Sequence, residues 1–117
     1  MKTNVIMSLR VEGIHRWSGC NIDDVDFLKE PHRHVFHITA KKIVEHDDRD
    51  VEIIMFKRKM EQYLFERHGS TNKNGDRNVC YFGELSCEMI AKELVTTFKL
   101  EYCSVLEDGE NGAEVWR

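Results

Sequence analysis

The chain has 117 residues, of which 41% are hydrophobic and 32% charged, and its formal net charge is −4. This suits a single domain, residues 1–117, with a modest core, and it argues against nucleic acid as a partner, because phosphate binding favours a basic surface. No run approaches the ~20 apolar residues that span a bilayer, and residues 1–10 lack the apolar segment and cleavage site of a secretory signal. The expectation is therefore a cytoplasmic protein with no membrane partner. The four cysteines, Cys20, Cys80, Cys87 and Cys103, form no C-x-x-C pair, which fits a reducing compartment.

Residues 5–15 alternate, with Val5, Met7, Leu9, Val11 and Gly13 on one face and Ser8, Arg10 and Glu12 on the other, the period of a half-buried strand. Residues 16–31 read as a long loop, of a length that is usually functional in a small domain. Residues 32–45 alternate again: His34, Phe36, Ile38 and Ala40 share a face, while Val35, His37, Thr39 and Lys41 share the other. A polar turn follows at residues 46–50. Residues 51–55 are apolar and read as extended. A helix is expected from about Phe56, with Phe56, Met60, Tyr63 and Leu64 as its apolar stripe and Lys57, Arg58 and Lys59 on a solvated side.

Residues 69–78 read as a polar loop. Ser86 is positioned to cap a second helix, with Met89, Ile90, Leu94 and Phe98 as its apolar stripe and Glu88 favourable in the first turn. Residues 100–106 and 113–116 read as two closing strands joined by the turn Asp108-Gly109-Glu110-Asn111-Gly112. The order strand, strand, helix, helix, strand, strand predicts an α+β domain: a four-stranded antiparallel sheet with both helices on one face.

The histidines carry the chemistry. Residues two apart on a strand project the same way, so His32 and His34 lie side by side and His37 points to the opposite face. His15 ends the first strand on the parity of its apolar residues. If the two strands pair as a hairpin, His15 arrives beside His32 and His34, and the three converge on one ion. Zinc suits such a set, since its catalytic sites commonly use three protein ligands plus water. The pattern alone also admits a plainer reading, in which these are solvated histidines at strand ends.

The run Val11-Glu12-Gly13-Ile14-His15-Arg16-Trp17 resembles the F-x-A-x-H-R-L segment of the 6-pyruvoyl-tetrahydropterin synthase and 6-carboxy-tetrahydropterin synthase family. His32-Arg33-His34 resembles its H-G-H motif, and Ser86-Cys87-Glu88-Met89-Ile90-Ala91 its T-x-E-N-L-A segment. Val105-Leu106-Glu107 followed by Asn111-Gly112-Ala113-Glu114-Val115 is similar to its C-terminal strand pair. The resemblance covers nearly the whole chain in order and is strongest to the short archaeal-type members.

It implies a ββααββ tunnelling fold whose protomers join edge to edge into a barrel, as a hexamer or tetramer. It also implies zinc held by His15, His32 and His34, and a pterin or purine-like small molecule anchored by Glu107. The implied activity is a lyase reaction on 7,8-dihydroneopterin triphosphate. The alternative is a non-catalytic pterin- or purine-binding homologue with the same zinc site.

The chain departs from the family in four places. The position of the family's catalytic cysteine holds Leu28; Cys20, twelve residues before His32, and Glu30 are the rival replacements. The L-D-H segment is reduced to Arg67-His68, so the family's catalytic histidine maps onto His68 without its aspartate. Met55-Phe56 replaces the D-F step that would cap the first helix. Arg33 replaces the glycine of H-G-H, and strand parity turns it away from the metal face.

Overall fold

The sheet is built on a long hairpin. In the computed structural model, which describes residues 1–70 and 79–117, strand β1 (Thr3–His15) pairs antiparallel with β2 (His32–Val44) from Thr3↔Val44 to His15↔His32. The alternation read from the sequence is the one that forms. Met7, Leu9 and Val11 lie opposite Ala40, Ile38 and Phe36, and all six are buried. The segment between the two strands is not wholly irregular, because it contains a 3-10 segment, Asp23–Lys29, with three aspartates in its first turn.

Helix α1 (Ile53–His68) starts earlier than expected, so residues 53–55 form its first turn instead of extended chain. The cap thought lost at Met55 is supplied by Glu52, whose carboxylate accepts hydrogen bonds from the N–H groups of Ile54 (2.8 Å) and Met55 (3.2 Å). A glutamate is a less usual cap than Ser, Thr or Asp, which is why the spacing did not reveal it. Helix α2 (Cys87–Phe98) is capped as predicted, with Ser86 Oγ accepting from Met89 N–H at 3.2 Å.

The sheet departs from the expected four antiparallel strands. It has six strands among the described residues and is mixed, in the order β3-β4-β1-β2-β5-β6. Strands β5 (Tyr102–Glu107) and β6 (Asn111–Trp116) form the predicted closing hairpin, and β5 pairs antiparallel with β2. The two additions are β3 (Gly69–Ser70), which takes the first residues of the predicted loop, and β4 (Val79–Gly83). The remainder of that loop, residues 71–78, lies outside the described residues. Strand β4 runs parallel to β1, with Gly13↔Cys80 and Ile14↔Tyr81 in register and a shift before His15↔Gly83. A parallel neighbour is reached by a crossover, here through α1, and short-range alternation carries no signature of it.

Met60 and Leu64 of α1 and Ile90, Ala91 and Leu94 of α2 join the inward strand residues in one core. Full burial of each of the larger of these side chains contributes about 1.5–3 kcal/mol. Met89, placed on the buried stripe from the sequence, is exposed instead. No helix among the described residues is long and apolar enough to cross a membrane.

Gly13 marks the tightest point of the core. A Cβ there would stand 2.6 Å from Phe82 Cε2 and 2.8 Å from Phe36 Cε2, and both rings are buried. Gly13→Ala is expected to destabilise the fold by about 1–3 kcal/mol through overpacking. The midpoint of urea denaturation measures this; an unchanged midpoint would mean that the two rings move aside freely.

Candidate metal centre

The hairpin register decides where the histidines meet. His15 lies opposite His32, and Gly13 opposite His34, so both β2 histidines and His15 point to the helix-covered face. Their ring centroids are 4.6 Å (His15–His32), 5.0 Å (His32–His34) and 5.4 Å (His15–His34) apart. His37 lies on the opposite face of β2, against Gly109, as parity requires. Arg33 also points away from the trio and pairs with Glu12.

Each of the three rings is oriented through Nδ1. His15 donates to Leu85 O (2.9 Å), His32 to Glu30 O (2.9 Å), and His34 to Asp108 Oδ2 (2.8 Å). Carbonyl and carboxylate oxygens only accept, so Nδ1 carries a proton, and in the neutral ring Nε2 presents the lone pair. The Nε2 atoms of His15 and His34 are buried without a hydrogen-bond partner among the described residues. Glu107 Oε2 nevertheless stands 2.9 Å from His15 Nε2 and 3.3 Å from His34 Nε2, close but not aligned as a hydrogen bond. In the neutral rings, lone pairs facing a carboxylate at this range repel unless a proton or a metal ion lies between them.

The donor atoms of His15, His32, His34 and Glu107 all lie within 4.8 Å of one another, so the cluster could hold a metal ion. Ligands at the usual ~2.0–2.1 Å around a tetrahedral ion stand ~3.3 Å apart, which the spacing admits. Orientation of ligating imidazoles by oxygen acceptors is the usual arrangement behind a metal site.

The orienting groups were not legible in the chain. Leu85 and Glu30 act through backbone carbonyls, which leave no side-chain signature. Asp108 read only as turn chemistry. It occupies the left-handed region (φ 56°), its N–H donates to Val35 O at 2.8 Å, and its Oδ1 accepts from Val35 N–H at 3.0 Å. The His34 hydrogen bond, then that of Val35, holds its carboxyl below the usual aspartate range.

A cavity of about 450 Å³ opens beside the cluster and shares His15, His32 and Glu107 with it; Trp17, Leu28 and Met89 are among its other walls. Clefts of similar volume beside α1 and along β5–β6 include none of the three histidines. Cys87 also lines the cavity, and its thiol is pushed up to about 12 by burial, then by the charges of Glu107 and Glu88, so it stays protonated.

The residues read as catalytic are placed elsewhere. Cys20 is buried in its own loop, where its Sγ donates to Val25 O (3.6 Å) and Ile22 O (3.9 Å), and it does not line the cavity. Glu30 contributes its carbonyl to His32. His68 does have a carboxylate partner, contrary to the expectation from the missing aspartate: its Nε2 lies 2.6 Å from Glu93 Oε2 on α2. Its ring packs on Phe82 at 5.1 Å, Phe82 packs on Phe36 at 5.1 Å, and Phe36 packs on His15 at 5.2 Å. Two aromatic side chains thus separate His68 from the cluster.

Replacing any of His15, His32 or His34 with alanine is expected to abolish stoichiometric metal binding in a chelator-competition titration. Asp108→Asn is expected to weaken it about 10–100-fold by loosening the His34 ring. Affinity falls as pH is lowered, since protons compete for the Nε2 lone pairs. Undiminished metal content in a triple alanine variant would refute the site.

No protein-family model matches the chain, and no curated protein matches it.

Proposed function

We propose that the chain is a zinc-dependent lyase of the 6-pyruvoyl- and 6-carboxy-tetrahydropterin synthase type, acting on 7,8-dihydroneopterin triphosphate. The observation that carries this reading is the convergence of three Nε2-presenting imidazoles with Glu107 at the wall of a cavity large enough for a small heterocycle. Three imidazole nitrogens that leave a fourth position open suit zinc among the common divalent ions. The order of motifs along the chain supplies the substrate class.

When bound, the ion supplies Lewis-acid polarisation of oxygen atoms on the substrate side chain. The protein's own residues do the rest. His15, His32 and His34 hold the ion, and Leu85, Glu30 and Asp108 keep their rings aimed. Glu107 can accept hydrogen bonds from the N–H and amino groups of a pterin edge. Leu28 and Leu85 make part of the wall apolar, and Cys87 presents a protonated thiol there. Among the described residues the sheet ends on two edge strands, β3 and β6, which need covering. Edge-to-edge joining of protomers into a cytoplasmic hexamer or tetramer would provide that cover.

One observation favours the alternative, a pterin- or purine-binding homologue without turnover: neither Cys20 nor His68 lines the cavity. Incubating the zinc-loaded protein with 7,8-dihydroneopterin triphosphate and following triphosphate release separates the two. The lyase reading expects release that falls to background in Glu107→Ala and in each histidine variant. Binding of the pterin with no release above the Glu107→Ala control supports the homologue, and absence of both binding and release would overturn both readings.

A further inference from the structure

Trp17 stands where the resembling family motif ends in leucine, two residues beyond His15. Its indole is 46% exposed, yet the chain that carries it is firmly held. Arg16 N–H donates to Gly83 O (2.8 Å), Trp17 N–H to Leu28 O (2.7 Å), and Cys20 N–H to Trp17 O (3.1 Å). Ser18 N–H donates to the Glu84 carboxylate at 3.1 and 3.3 Å, and Arg16 Nε to Lys29 O at 2.7 Å. The strap is therefore tied on one side to the turn before α2 and on the other to the 3-10 segment. A large apolar ring on so fixed a backbone is presented, since little conformational entropy is lost when a ligand meets it.

The other tryptophan offers a contrast. Trp116 is 65% exposed but is packed against Tyr102 at 4.6 Å and lies 5.7 Å from the Lys41 ammonium. Trp17 has no stacked ring or cation among the described residues, and it lines the cavity that contains His15, His32 and Glu107. Met89, 53% exposed and off the buried stripe of α2, lines the same cavity. Thioethers pack well on aromatic and heteroaromatic rings. The carboxylates of Glu88 and Glu107 on the same lining suit a ring edge rich in N–H donors.

We propose that Trp17 is the stacking wall of the cavity and selects a flat, amino-substituted nitrogen heterocycle as the ligand held beside the metal centre. The inference rests on the reading that this cavity is the substrate site, but it does not require the ring to be a pterin. An indole face receives such rings by offset stacking, as aromatic side chains receive nucleobases.

The test uses zinc-loaded protein carrying Trp116→Phe, in which Trp17 is the remaining tryptophan. The probes are 7,8-dihydroneopterin triphosphate, 7,8-dihydroneopterin, guanosine and, as a non-planar control, inorganic triphosphate. Flat probes are expected to quench Trp17 emission, corrected for probe absorption, and inorganic triphosphate is not. By calorimetry, Trp17→Ala should weaken the flat probes about 10-fold or more with zinc content unchanged, and Trp17→Phe should largely restore them. Where Trp17→Ala loses zinc, Trp17→Leu, apolar but without a stacking face, takes its place.

Unaltered affinity in Trp17→Ala or Trp17→Leu, or no quenching by any flat probe, overturns the proposal. Quenching by guanosine alone leaves Trp17 as the wall and removes the pterin reading. Unchanged triphosphate release and KM in the Trp17 variants keep the pterin reading and remove the wall.

Discussion

Everything in this domain depends on the register of the β1–β2 hairpin. Side chains alternate with a period of two, so a slip of one residue would carry His32 and His34 to the outer face together with Phe36, Ile38 and Ala40. Core and histidine cluster are therefore specified by the same parity. The pairing that buries Met7, Leu9 and Val11 also brings His15 opposite His32. No separate device is needed to bring the trio to one face, and a one-residue slip cannot bury the core while keeping the site.

The orienting oxygens tie distant parts of the chain to that hairpin. Leu85 belongs to the turn before α2, Glu30 to the loop after the 3-10 segment, and Asp108 to the β5–β6 turn. A metal held by the trio would load all three connections at once, so binding and folding share free energy. The aromatic sequence His15, Phe36, Phe82, His68 runs from the cluster into the core and excludes water beneath it. Electrostatic interactions on that side act in a medium less polarisable than bulk water.

Much of this could be read from the chain because it is local. The two long strands, the closing hairpin, the Ser86 cap and the parity of His32, His34 and His37 follow from spacing alone. What escaped was non-local or carried by unremarkable atoms. Strand β4 is five residues long and pairs parallel across an intervening helix. Glu93 reaches His68 from a helix 25 residues away in sequence. Glu52 caps α1 although glutamate seldom does so, and two of the three orienting acceptors are backbone carbonyls. Met89 falls on a helical stripe by count, but its side chain is exposed and lines the cavity.

Asp108 shows how tightly a turn and a candidate ligand can be bound together. Its left-handed backbone (φ 56°, followed by Gly109 at φ 73°) favours Gly, Asn or Asp. Its contact with His34 asks for a negatively charged acceptor on a short arm. Aspartate meets both demands, since it tolerates the left-handed region and supplies a charged acceptor. The hairpin loop is consequently not free to drift as surface loops usually are: lengthening, shortening or retyping it would reshape the turn and detune the imidazole in the same step. Variation within this turn should therefore collect at Glu110, with Asp108 held in place by two unrelated constraints.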